Sequence, residues 1–171
     1  MAKKIVNFLL GLFGGMLATS ASKYIFVFII SLLPILELRG GLIAAALLDL
    51  NPVKSYLICI LSNIIIIPFV LFLMEKILEI LSKIKILKKL IDKWMKKIDK
   101  KKGLLEKYGY LGLMLFVAIP LPGSGAWTGS FLATILNLDK KKSLIAAIIG
   151  VLIASVIMMI LSFGLLKGII G

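Results

Sequence analysis

Leu33-Pro34-Ile35-Leu36-Glu37-Leu38-Arg39-Gly40-Gly41 interrupts an apolar run that extends from Tyr24 to Leu50. Proline removes a backbone donor and clashes with the preceding turn, and the glycine pair weakens a helix, so the run reads as a helical hairpin with an unwound tip. The tip carries Glu37 and Arg39, the latter the sole arginine of the chain. A charge at the centre of a membrane helix costs about 2.5–3.5 kcal/mol on translocon scales, which marks the pair as functional unless the tip lies at the interface.

A second interruption has the same form. Ile119-Pro120-Leu121-Pro122-Gly123-Ser124-Gly125-Ala126-Trp127-Thr128-Gly129 breaks the apolar run from Tyr108 to Leu138. At an offset of 88, Pro34 falls on Pro122, Gly41 on Gly129, and Lys54-Ser55 on Lys142-Ser143. Each half then reads as a Pro/Gly-broken hairpin followed by one full apolar span, Ser55 to Met74 or Ser143 to Leu166. A hairpin that returns to its starting side leaves one net crossing per half. The two halves are therefore expected to be inverted in the membrane, each with a re-entrant hairpin.

Composition requires the bilayer. The 171 residues are 61% apolar with a mean hydropathy of +1.12, against roughly 45–50% apolar in soluble domains. The expected fold is an all-α integral membrane protein forming one membrane domain over residues 1–171. Residues 23–74 form the first repeat half, 75–107 a basic amphipathic linker and 108–171 the second half. Residues 1–22 are read as a retained anchor or interfacial helix in preference to a signal peptide.

The net charge of +13 comes from 20 lysines and one arginine. Nucleic-acid recognition favours arginine forks and aromatic stacking, neither of which is present, so that partner is set aside. Cytoplasmic loops obeying the positive-inside rule account for the charge. With the N-terminus and linker inside and residues 5–21 crossing, only Lys23, Lys54 and Lys167 fall outside. In the linker, Ile77, Ile80, Ile84, Leu87, Ile91, Trp94 and Ile98 are spaced alternately by three and four. Such a helix suits the anionic lipids of the inner leaflet, with a coiled coil joining protomers of a homo-oligomer as the rival.

Histidine is absent and Cys59 is the single cysteine. No metal cluster, cofactor motif or nucleophile beside a base is visible, so the chain reads as not an enzyme and as needing no cofactor. Two residues apart, Glu37 and Arg39 would leave a regular helix on different faces and pair only across an unwound backbone. Alternatively, Arg39 meets carbonyls of the second tip or an anionic group on a substrate. In the second tip the candidate groups are Ser124, Trp127, Thr128 and the amides freed by the breaks at Pro120, Pro122, Gly123 and Gly125, a potential anion nest. The first tip's breakers are Pro34, Gly40 and Gly41. Gly125, Gly129 and Ala133, echoed by Gly41 and Ala45, also fit a small-xxx-small packing face. Asp49, Asn51, Asn137 and Asp139 read as helix-end residues, and Asn63 as a packing hydrogen bond.

Together the two tips, Glu37-Leu38-Arg39-Gly40 and Pro120 to Gly129, resemble the putative small multi-drug export protein family. More distantly the arrangement is similar to the DedA superfamily, with two re-entrant hairpins and links to translocation of lipids such as polyprenyl phosphate carriers. That resemblance implies a proton-linked role for Glu37. The arginine-bearing second hairpin of that superfamily is replaced here by Trp127 and glycines. The expected function is a proton-linked membrane transporter for a small amphipathic or lipid-like substrate. An anionic-lipid translocase and a non-transporting membrane scaffold are the alternatives.

Overall fold

The computed structural model describes residues 2–82, 102–121 and 123–165, and among them every regular element is helical. The elements are α1 (Ala2–Phe13), α2 (Ser20–Leu32), α3 (Glu37–Leu47), α4 (Pro52–Ser82), α5 (Lys102–Ala118), α6 (Ala126–Ile135) and α7 (Lys140–Met159). A π-helical segment, Ile160–Leu165, continues α7. The middle of the basic linker and Pro122 lie outside the described residues, and with them most of the heptad stripe.

Large apolar side chains cover the exterior as well as filling the core. Along α4 the buried face carries Ser55, Cys59, Ser62 and Asn63 together with Ile67, Val70 and Leu71, whereas Leu57, Leu61, Ile65 and Phe69 point outward. On α7 the buried face is Ser143, Ala146, Ala147, Gly150, Ala154 and Ser155, and Ile145, Ile149, Leu152 and Val156 are exposed. Large apolar groups outside and small or hydroxylated ones between helices is the pattern expected where lipid is the solvent and close packing drives helix association. Pro52–Met74 and Lys140–Gly164 are each long and apolar enough to cross a bilayer. At 12 residues, α1 rises only about 18 Å, short of a hydrocarbon core of about 30 Å.

Two apolar cores divide the molecule. One gathers Val6 of α1, Val27 and Ile30 of α2, Leu42, Ala44 and Ala45 of α3, and Cys59 of α4. The other gathers Leu113 and Val117 of α5, Phe131, Leu132 and Ala133 of α6, and Ala146, Ala147 and Val151 of α7. The long helices belong to both. Helix α4 gives Cys59 to the first core and Ile67, Val70 and Leu71 to the second, while α7 gives Val151 to the second and Ala154 and Met158 to the first.

Residues 88 apart adopt the same local structure. Asp49 and Asn137 both have φ of 52°, a left-handed turn that ends α3 and α6. The turn bonds repeat as well: Leu50 N to Ala45 O and Leu138 N to Ala133 O are each 3.0 Å. Asn51 Oδ1 then accepts from Lys54 N at the start of α4, and Asp139 Oδ1 from Lys142 N at the start of α7. All four polar residues thus serve helix ends, since a short acceptor side chain satisfies an amide that the first turn leaves unpaired.

Gly40 and Gly41, expected at the break, lie inside α3 instead; the interruption is Leu33 to Leu36. Gly41 is required by packing. A Cβ there would overlap Ser31 Oγ of α2 and come within 2.7 Å of Cys59 Sγ of α4. Gly129 has the same role in α6, where a Cβ would press on Val117 of α5.

Candidate functional site

The two interruptions face each other, and each supplies what the other's helix ends lack. A broken helix leaves amides at one end and carbonyls at the other, with a partial positive and a partial negative charge respectively. Where they are buried away from water, protein groups must cover them.

Glu37 opens α3 and is 4% exposed. Its Oε1 accepts from the backbone amide of Trp127 at 3.0 Å, placing the carboxylate at the amino end of α6. Gly125 makes this approach feasible. Its φ of 136° is open to glycine alone, and a Cβ would collide with Glu37 Oε2. The anion nest expected at the second tip is therefore filled by a side chain of the first. Glu37 itself has φ of 49°, an uncommon conformation for a non-glycine residue and one held against a cost of order 1–3 kcal/mol.

Arg39 serves the opposite polarity. Its Nη1 donates to Leu121 O and its Nη2 to Ile119 O at 3.2 Å, so the guanidinium adds to the amides of Ser124 and Leu121 that these two carbonyls just past α5 also accept. Nη2 also reaches Ser124 Oγ at 3.2 Å. Ser124 lies 2.7 Å from Ile119 O and 2.8 Å from Leu121 O, and its oxygen accepts from Leu121 N, which fastens the irregular segment to itself. Glu37 and Arg39 thus bind different helix ends of the second half, and their shared spacing of two residues suits that division.

Trp127 completes the lock from the other side. Its indole Nε1 donates to Leu32 O, the last residue of α2, at 2.9 Å, and its ring packs edge-on against Phe69 of α4. Thr128 is half-buried beside it. Below the tips, Asn63 of α4 donates through Nδ2 to Ser31 O of α2 at 3.2 Å and to Cys59 O at 3.0 Å. Among the described residues no group of three or more Cys, Asp or Glu side chains could hold a metal ion.

Sequence reading singled out Glu37, Arg39, Ser124 and Trp127, and the structure brings these four together. Missed were the two bonds of Trp127, from its backbone amide to Glu37 and from its indole to Leu32 O; Asn63, read as a packing hydrogen bond, makes one to Ser31 O of α2. A tryptophan just after a glycine-rich break, with an indole N–H that must find an acceptor in hydrocarbon, was the available signal.

Such a fold and site define a small helical membrane protein in which two interrupted helical segments meet through charged and aromatic residues. The chain belongs to the family described as putative small multi-drug export protein, whose model matches residues 37–157. The match begins at Glu37, after the Leu33 to Leu36 interruption, and takes in Glu37 and Arg39, the second tip, α4 and most of α7. Neither the curated proteins nor the solved structures give a match to the chain.

Proposed function

We propose that this chain is a proton-linked secondary transporter whose site is the meeting point of the two tips, with Glu37 as the proton carrier. The observation that carries the reading is the burial of the Glu37 carboxylate on the amide end of α6. A hydrogen bond to a charged group contributes about 1.5–3 kcal/mol, and protonation discharges it. That range corresponds to roughly 10- to 100-fold in the balance between locked and parted tips, enough to couple proton binding to opening. Arg39 keeps the end of α5 covered while the tips are joined.

The reading includes two inverted repeats with re-entrant hairpins. Matching turns and caps 88 residues apart support it. Helix length supports it too: α3 and α6 have 11 and 10 residues, about 16 and 15 Å, so tips entering from opposite faces would meet near the midplane of about 30 Å of hydrocarbon. Transport would then proceed by one repeat rocking against the other, with the N-terminus and the lysine-rich linker on the cytoplasmic side.

Drug export is what the family description suggests, and a lipophilic cation serves as the probe. The guanidinium nitrogens Nη1 and Nη2 of Arg39 are engaged by protein acceptors, which makes a lipid-phosphate clamp the weaker reading. The test uses purified protein in liposomes loaded with ethidium under an imposed pH gradient. Glu37→Gln is expected to lose at least tenfold in gradient-driven ethidium movement. Movement by Glu37→Gln at the wild-type rate, and independent of the gradient, would overturn the proposal.

A further inference from the structure

We propose that Asn63 is a third member of the site: its side-chain oxygen is the acceptor to which the protonated Glu37 carboxyl turns when it leaves α6. The inference rests on the reading of Glu37 as proton carrier and names the group that stabilises its protonated form.

Three observations place Asn63 there. It is 1% exposed, and its Oδ1 is buried with no hydrogen-bond partner. The amide orientation is dictated by chemistry, because its Nδ2 lies against two carbonyl oxygens, Ser31 O and Cys59 O, which only the NH2 side can satisfy. The orphan acceptor therefore points away from both. An unmet carbonyl in a membrane interior is costly and calls for a donor.

Helix register identifies the donor. Helices α3 and α4 are joined by the short turn at residues 48–51 and run antiparallel, with Gly41 packed against Cys59. One turn back along α3 is Glu37, and one turn on along α4 is Asn63, so the two share a level. A chain of bonds joins them as well. Asn63 holds Ser31 O, the neighbouring Leu32 O takes the Trp127 indole N–H, and the Trp127 amide holds Glu37.

The chemistry is complementary. An ionised Glu37 is acceptor-only and is matched by the α6 amide; a protonated Glu37 has an O–H to place, and an amide donor cannot receive it. Asn63 Oδ1 can. A proton arriving from water binds the carboxylate, the bond from Trp127 N to Glu37 Oε1 is given up, the new O–H donates to Asn63 Oδ1, and the O–H is the only covalent bond formed. Among the described residues Arg39 is the other charged group near this level and Cys59 a titratable one, one turn away; α6 contains no charged residue, and the lysines of α2 and α4, Lys23, Lys54 and Lys76, stand away from the tips.

Infrared difference spectra of the full-length protein in lipid, recorded across a pH titration, test this directly. A protonated carboxyl band missing from Glu37→Gln is expected in the wild type. In Asn63→Leu and Asn63→Ala that band should move to higher wavenumber as its O–H loses its acceptor, and gradient-driven ethidium movement should fall about tenfold. Alanine adds no bulk at this buried position, so it guards against a leucine variant that fails to fold. A Glu37-dependent band unmoved in both variants would overturn the role of Asn63 while leaving Glu37 as proton carrier. Absence of any Glu37-dependent band would overturn both.

Discussion

Gly125→Ala tests the interlock of the tips at its tightest point. At φ of 136° an alanine is strained, at a cost of about 1–3 kcal/mol. Its Cβ would overlap Glu37 Oε2 and lie 2.7 Å from the carboxyl carbon and 2.9 Å from Oε1. The carboxylate must therefore leave the Trp127 amide, forfeiting a further 1.5–3 kcal/mol, roughly, for a charge-assisted bond. The single substitution should destabilise by about 2.5–6 kcal/mol. In a Glu37→Ala background only the backbone part remains, so a double-mutant cycle should return a coupling of at least about 1.5 kcal/mol. The assay is reversible unfolding in mixed micelles with the four proteins compared under one condition. Additive effects within about 0.5 kcal/mol would refute the claim that Glu37 occupies the amide end of α6.

Further outcomes follow from the same contacts. Arg39→Lys keeps the charge but not the fork that spans Ile119 and Leu121, and gradient-driven transport should fall about tenfold, read in the liposome assay. Trp127→Phe leaves Leu32 O without its donor and should cost about 1–3 kcal/mol in the same unfolding measurement. Gly41→Ala should destabilise by about 1–3 kcal/mol through overlap with Ser31 and Cys59, whereas Gly11→Ala, which meets nothing within 4 Å, should be neutral or slightly stabilising.

Local features of this protein were legible from its residues. Asn51 and Asp139 each cap an amide three residues downstream, a distance within reach of sequence reasoning, and the apolar runs located α4 and α7, although α4 continues to Ser82, eight residues past the expected end at Met74 and into the expected linker. The position of the first break was legible from Pro34, but its extent was not. Gly40 and Gly41 were expected to unwind the chain, yet they are helical, because a glycine demanded by close packing and a glycine demanded by a turn look alike in sequence.

By itself the sequence determined that the chain is a helical membrane protein with two interrupted runs, because apolar content, proline and lysine bias act through local physics and solvent partition. What the charges do was decided only by tertiary structure. Glu37 meets an amide 90 residues away and Arg39 a carbonyl 82 residues away. Neither partner carries a side-chain signature, since a backbone N–H or C=O is common to almost every residue. It becomes a binding group only where a broken helix leaves it buried without its helical partner, facing a charge of opposite sign.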